Sequence, residues 1–293
     1  MTYTQADLQN FNQQHEYLVG IDSDGCVFDT MEIKQKQCFH GEICKVWGLE
    51  AIEGPVRETA EFINLYSRWR GINRFPALLM TFDLLAERQA ATPAAPLPDT
   101  AALRAYIESG LPLSNATLRA EVERTGDPEL RRVLDWSLAV NVNVERTVKQ
   151  VPPFRWVRES LDKLKPRADL IVVSQTPTDA LVREWRENGI EDYVHLIAGQ
   201  ELGTKSEHLQ LATAGRYAAD RVLMIGDAPG DRKAAQSVNA CFYPINPGRE
   251  EASWQRLHDE AADRFFNGTF DDVYQAALIA EFEALLPETP PWK

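Results

Sequence analysis

The sequence predicts an α/β protein whose core is a doubly wound parallel sheet, interrupted by a large α-helical insertion. Three observations carry that expectation. Five short apolar runs rich in β-branched residues stand at 17–21 (YLVGI), 169–174 (DLIVVS), 194–199 (VHLIAG), 221–227 (RVLMIGD) and 240–245 (ACFYPI). Most are continuously apolar rather than alternating, the pattern of parallel strands covered on both faces. From about residue 151 onward they alternate with helical segments, as βαβ units do, whereas the chain between the first run and the second shows only helical patterning.

Taken in order, the first strand ends in three aspartates, Asp22, Asp24 and Asp29. Helical patterning follows at 31–50, 54–70, 76–91, 99–109, 114–125 and 128–149, with the proline-rich ATPAAPLPD (91–99) as a connector. KQVPPF (149–154) reads as the hinge back to the α/β part. The helix after the second strand lies in PTDALVREWRENG (177–189), with Thr176 as N-cap, Pro177 as first helical residue, Asp179 as capping partner and Gly189 as stop. After residue 250 come helices and an end, PETPPWK, that reads as mobile. The expected domains are a discontinuous α/β core (1–29 and 151–250), a helical insertion (30–150) and a C-terminal helical extension of the core (251–293).

Composition narrows the function classes. With 293 residues, 44% hydrophobic and 26% charged, the chain reads as globular rather than disordered. A net charge of −13 argues against sequence-independent nucleic-acid binding, which needs a basic surface, and against anionic membranes. In MTYTQADLQNFNQQHEY no basic segment leads into an apolar core, so no signal peptide is expected. No apolar run approaches about 18 residues, so no membrane span is expected either. Four cysteines, Cys26, Cys38, Cys44 and Cys241, point to reduced thiols and a cytoplasmic setting. CFHGEIC (38–44) matches no standard zinc spacing.

Chemistry concentrates at the expected strand ends. Residues i and i+2 of an extended segment point to one side, so Asp22 and Asp24 present two carboxylates at the carboxyl end of a buried strand. That end is where open α/β sheets bind ligands. Neighbouring carboxylates repel and cost free energy unless a cation pairs with them. Asp29 instead opens DTME, with Glu32 three residues on, and reads as a helix cap. Ser174 ends the second strand ahead of helix amides, an anion-binding arrangement that ordinary turns also use. Thr204 and Glu207 form a capping box that puts Lys205 in a first helical turn, where a cation opposes the helix dipole. A solvated surface lysine explains that position equally well when it is taken alone. A phosphate-cradling P-loop is excluded, because Thr204 rather than glycine precedes Lys205. The fourth run ends in Asp227, with Asp231 four residues later. Jointly the strand ends gather acids, one hydroxyl and one lysine, an all-oxygen ligand set suited to Mg²⁺. Mg²⁺ and Lys205 would then offset the charge of an incoming phosphate.

In order and spacing these motifs resemble the haloacid dehalogenase (HAD) superfamily of phosphatases. Asp-x-Asp-Gly-x-x-x-Asp stands here as Asp22, Asp24, Gly25 and Asp29; the strand ending in Ser or Thr is IVVS with Ser174. The lysine before a helix is Lys205, and Gly-Asp-x-x-x-Asp stands as Gly226, Asp227 and Asp231. The resemblance covers about 17–29 and 151–245 and implies a Rossmann-like core with a helical cap inserted after the first motif, matching 30–150 in position. It implies an Mg²⁺-dependent phosphoric monoester hydrolase that acts on a small phosphorylated metabolite through an aspartyl-phosphate. Asp22 would be the nucleophile and Asp24 the acid and base, while Ser174 and Lys205 would hold phosphate oxygens. The Asp22 and Asp227 carboxylates and the Asp24 carbonyl would hold Mg²⁺, with Asp231 in support. Family dehalogenases attack carbon and typically lack the second aspartate, so Asp24 points to phosphorus.

In the cap, SRWRGINRFPALL (67–79) puts Arg70, Asn73 and Arg74 at a break in the helical pattern. They are candidates for gripping a second anionic group of the substrate, with surface ion pairing as the plainer reading. Two other functions stay open on this scaffold, a sugar-phosphate mutase and a non-catalytic phosphate-binding protein. No nucleophile, acid or metal aspartate has been lost, which favours the enzyme.

Overall fold

A computed structural model describes residues 3–89 and 95–293. In chain order its helices and strands are α1 (Gln5–Asn10), β1 (Tyr17–Ile21), α2 (Thr30–Ile33), α3 (His40–Trp47), α4 (Glu53–Leu65), α5 (Arg74–Gln89), α6 (Ala101–Glu108), α7 (Asn115–Thr125) and α8 (Pro128–Thr147). Then follow α9 (Val157–Leu164), β2 (Ala168–Val173), α10 (Thr178–Glu187), β3 (Leu196–Ala198), α11 (Lys205–Thr213), β4 (Val222–Gly226), α12 (Pro229–Ser237), β5 (Cys241–Pro244), α13 (Glu250–Arg256), α14 (Ala262–Phe266) and α15 (Asp272–Ala284). Two compact units result: Met1–Met31 with Gln150–Pro287, and Glu32–Lys149 with Glu288–Lys293. Among the described residues no helix is long and apolar enough to cross a membrane.

The first unit is the doubly wound α/β fold. Its five strands are all parallel, in the order β3-β2-β1-β4-β5. β1, the first strand of the chain, is therefore the central one, with Ile21 opposite Val172 on one side and Ile225 on the other. The chain winds outward to β3, then returns past β1 to continue through β4 and β5. A crevice opens at such a reversal, beyond the carboxyl ends of the strands.

The unbroken apolar runs have a direct physical cause. All of β2 and β4 is buried, because each strand feeds two cores with alternate residues. Val19, Ile21, Val172 and Ile225 pack with Leu161 of α9, Trp185 of α10, and Trp254 and Phe265 further on. Leu18, Ile171, Val173 and Met224 pack on the opposite face with Leu209 of α11, Ala234 of α12 and Phe282 of α15.

Among the described residues the second unit is built of helices and their connections, around a core that includes Val56, Phe75, Phe82, Leu103, Leu134 and Trp136. The helix expected over 31–50 is not uniform: α2 passes into a π-helical stretch, Lys34–Phe39, before α3. The connector expected at 91–99 lies partly outside the described residues.

The C-terminal end departs from its expected mobility. Trp292 packs edge-on against Phe62 with ring centroids 5.5 Å apart, and the Arg88 guanidinium lies 4.3 Å from its ring centroid. Arg68 pairs with Glu288 at 2.7 Å. Indole packing, the Arg88 cation over its ring and the Arg68–Glu288 pair together oppose the chain entropy that ordering this short segment costs. Residues 288–293 accordingly group with the helical unit rather than with an extension of the α/β core.

Candidate active site

β1, β2 and β4 end directly before Asp22, Ser174 and Asp227, and the fold brings Asp22 and Asp227 together with Asp231 and Lys205. Asp22 follows β1 directly, and its backbone N–H still bonds Ile225 of β4 at 2.9 Å. Its carboxylate is fixed at both oxygens: Ser23 N–H donates to Oδ1 at 2.8 Å, and Lys205 Nζ stands 2.8 Å from Oδ2. Ser23 is in turn anchored by the Trp185 indole, which donates to its hydroxyl at 3.0 Å.

Lys205 is the first residue of α11, held there by the Thr204–Glu207 capping box. Its side chain reaches Asp231 Oδ1 at 2.6 Å as well as Asp22. Burial disfavours the ammonium, but the two carboxylates outweigh it and hold Lys205 well above its ordinary range. Those same carboxylates offset the cost of a cation at a helix N-terminus. Asp231 has no free oxygen, since Oδ2 accepts the Ala228 N–H at 3.0 Å and so caps α12. Burial pushes its carboxyl up to about 6, with Lys205 opposing and Asp22 reinforcing that rise.

Asp22, Asp227 and Asp231 are all buried, with carboxylate oxygens within 4.8 Å of one another. Three clustered carboxylates make an acidic, all-oxygen donor set of the kind a divalent cation takes. Both oxygens of Asp22 and of Asp231 already accept N–H donors, so a bound ion would share these carboxylates with Ser23, Lys205 and Ala228.

Asp24 has a different environment. Thr30 donates its hydroxyl to Oδ1 and Thr176 donates its hydroxyl to Oδ2. Neither threonine stands out in the sequence as a functional residue, and Thr176 departs from the capping role its position predicts. Thr176 does not cap the following helix: α10 begins at Thr178, with Pro177 in the N-cap position and no side-chain cap from it. The cap comes instead from Glu201, whose Oε2 accepts the Thr178 N–H at 2.9 Å and its hydroxyl at 2.8 Å. Ser174 is buried at the tip of β2; its N–H bonds Ala198 at 2.9 Å and its hydroxyl accepts the Thr176 N–H at 3.3 Å. Asp29 is exposed immediately before α2.

The three cap candidates lie in the helical unit, and each carries a packing role. Arg70 is buried and donates to the Leu65 carbonyl at 2.9 Å. Asn73 accepts the Phe75 N–H at 3.0 Å at the start of α5 and donates to the Leu113 carbonyl at 3.0 Å. Arg74 uses Nη1 on the Ser137 carbonyl, the Ser137 hydroxyl and Asn141 Oδ1, and lies over the Phe39 ring. Burial lowers its guanidinium to about 10.

The family model described as haloacid dehalogenase-like hydrolase matches residues 105–244. A haloacid dehalogenase-like family hydrolase from Streptococcus pneumoniae superposes with a TM-score of 0.50 at 12% identity, covering 83% of this chain and 91% of that one. A β-phosphoglucomutase from Clostridium difficile superposes with a TM-score of 0.54 at 15% identity, covering 87% of this chain and 98% of that one. At such identities the likeness concerns the fold. No curated protein matches the sequence. The match over 105–244 together with the shared fold supports a place for the chain among the haloacid dehalogenase-like proteins. The family match begins after the first strand, so Asp22 and Asp24 stand on their own geometry.

Proposed function

We propose that the protein is an Mg²⁺-dependent phosphatase that hydrolyses a small phosphorylated metabolite through a phospho-aspartate on Asp22. The observation that carries this reading is the pairing of two differently held carboxylates at one strand tip. Asp22 is locked between the Ser23 N–H and Lys205, while Asp24 accepts the hydroxyls of Thr30 and Thr176, one at each oxygen.

Asp22 attacks phosphorus as the ester P–O bond breaks, and Asp24 gives its proton to the departing alkoxide. Water then attacks the phospho-aspartate, Asp24 takes its proton, and inorganic phosphate leaves with Asp22 restored. Lys205 and the Ser174 hydroxyl steady the non-transferring oxygens, and Asp231 keeps Lys205 aimed. Mg²⁺, when held by the Asp22 and Asp227 carboxylates with the Asp24 carbonyl, supplies the charge that lets a phosphate dianion approach these acids.

Specificity is assigned in the same proposal to the helical unit, with Arg74 as its cation. Its Nε and Nη2 make no hydrogen bond among the described residues, which leaves donors for an anionic group.

The test is release of phosphate from p-nitrophenyl phosphate, dependent on Mg²⁺ and abolished by Asp22→Asn. Purified protein that is silent across a broad panel of phosphate esters overturns the reading. Phosphate moving between positions of one sugar, activated by a bisphosphate, would replace it with a mutase.

A further inference from the structure

The loop after β3 grips the loop after β2 at four points. Glu201 accepts both donors of Thr178; Gln200 N–H donates to the Thr176 carbonyl at 3.1 Å; Gln175 Nε2 donates to the Gly203 carbonyl at 2.9 Å. The fourth point is steric, since a Cβ on Gly199 would meet the Thr178 hydroxyl at 2.5 Å and the Thr176 carbonyl at 2.6 Å. The two loops carry different parts of the machinery, Ser174 and Thr176 on one and the approach to Lys205 on the other.

Helix α10 explains why the grip exists. A helix start needs acceptors for its first N–H groups, and Pro177, in the N-cap position, has a carbonyl but no side-chain acceptor to offer. The nearest hydroxyl in sequence is that of Thr176. Had it capped the helix, it would not be available to Asp24. Glu201 takes over the capping task from another loop, and the Thr176 hydroxyl turns to Asp24 Oδ2. Partial burial opposes the charge on Glu201, but the Thr178 donors outweigh it and hold its carboxyl below the ordinary range.

We propose that Glu201 is a positioning residue for proton transfer: by capping α10 in place of Thr176 it frees the Thr176 hydroxyl to orient Asp24. This rests on the phosphatase reading, in which Asp24 protonates the leaving group. The effect is therefore selective. An alkoxide leaving group needs Asp24's proton; p-nitrophenolate, a good leaving group, does not.

The experiment compares kcat/KM for β-glycerol phosphate and p-nitrophenyl phosphate, since kcat/KM reports the steps up to departure of the leaving group. Glu201→Ala and Thr176→Val should each lower the alkyl-to-aryl ratio about tenfold, part of the ~10²–10⁴ that a general acid contributes. The double variant should show the same ratio as either single one, because both act through one hydrogen bond. Glu201→Gln, which keeps an acceptor oxygen, should retain the wild-type ratio. Parallel loss on both esters, additive loss in the double variant, or an unchanged ratio would each overturn the assignment while leaving the phosphatase reading intact. Wild-type protein inert toward both esters would instead remove that reading, and this proposal with it.

Discussion

A Cβ placed on Gly226 would stand 2.2 Å from Cγ of Asp231. The glycine at the end of β4 and the aspartate inside α12 thus share one volume, and the fourth motif needs both for a steric reason. Gly226→Ala must push Asp231 away from Lys205 and from the Ala228 N–H. Overpacking of this kind costs about 1–3 kcal/mol. Urea unfolding should show that loss, accompanied by loss of activity; an alanine variant as stable as wild type would mean that Asp231 moves freely.

Lys205 bridges Asp22 and Asp231. Lys205→Met leaves two buried carboxylates without it, and breaking a buried pair this way costs about 3–5 kcal/mol. Thermal unfolding in the absence of divalent ions should show this loss. Lys205→Arg keeps the charge but not the compact geometry, and should recover stability better than activity.

Charge balance makes a separate prediction for the metal. Mg²⁺ at about 100-fold over its dissociation constant should stabilise the native state by about 2.7 kcal/mol, a rise in Tm of about 5–10 °C for a chain of this size. Asp227→Asn should abolish that rise. An equal Mg²⁺ response in both proteins would exclude Asp227 as a ligand.

At the opposite end of the sheet, Asp169 near the start of β2 is buried beneath polar donors. It accepts the backbone N–H groups of Gln14 and His15, the Tyr217 hydroxyl at 2.7 Å, and contacts from His15 Nδ1 and His195 Nε2, each at 3.0 Å. Burial opposes its charge, yet His195, Tyr217 and His15 together hold its carboxyl well below the usual range. With the folded value depressed, the unfolded chain binds more protons in acid. The stabilisation is therefore complete above the unfolded pKa of about 4 and fades as pH falls below it. Asp169→Asn should cost about 1.5–3 kcal/mol at pH 7 and flatten the acid limb of the stability profile. Urea titrations at pH 7 and pH 3 measure both; an acid limb as steep as in wild type would point to another carboxylate.

Trp292→Ala should remove about 2 kcal/mol, since the indole is only half-buried but loses both Phe62 and the Arg88 cation. Tryptophan fluorescence during urea unfolding follows the change. An unchanged midpoint would mean that the end of the chain rests on the helices without contributing to them.

The strands and the polar residues at their tips were legible because strand burial on both faces leaves an unmistakable apolar run, and an acid at its end stands out. Thr176 was misread because local spacing favours a hydroxyl before proline as a cap, whereas the real cap, Glu201, arrives from another loop. The one signal available was Pro177 itself, which needs a cap from somewhere when it precedes the first turn. Asp169 went unremarked because a single acid beside a strand looks like its polar margin; His15 and His195 are too distant in sequence to suggest partners. PETPPWK read as mobile from its prolines and charges, and the tryptophan within it was the contrary sign.

The docking of residues 288–293 on the helical unit bears on the order in which the protein assembles. Most of that unit, 32–149, is synthesised early, yet Trp292 emerges from the ribosome some 140 residues later. The sheet has the same property: its central strand β1 is made first and waits for β2 and β4 on either side. Where domains of contiguous sequence fold one after another as they appear, a chain halted before Trp292 would hold the helical unit unfinished, and one halted before β4 would leave the central strand of the sheet paired on one side only.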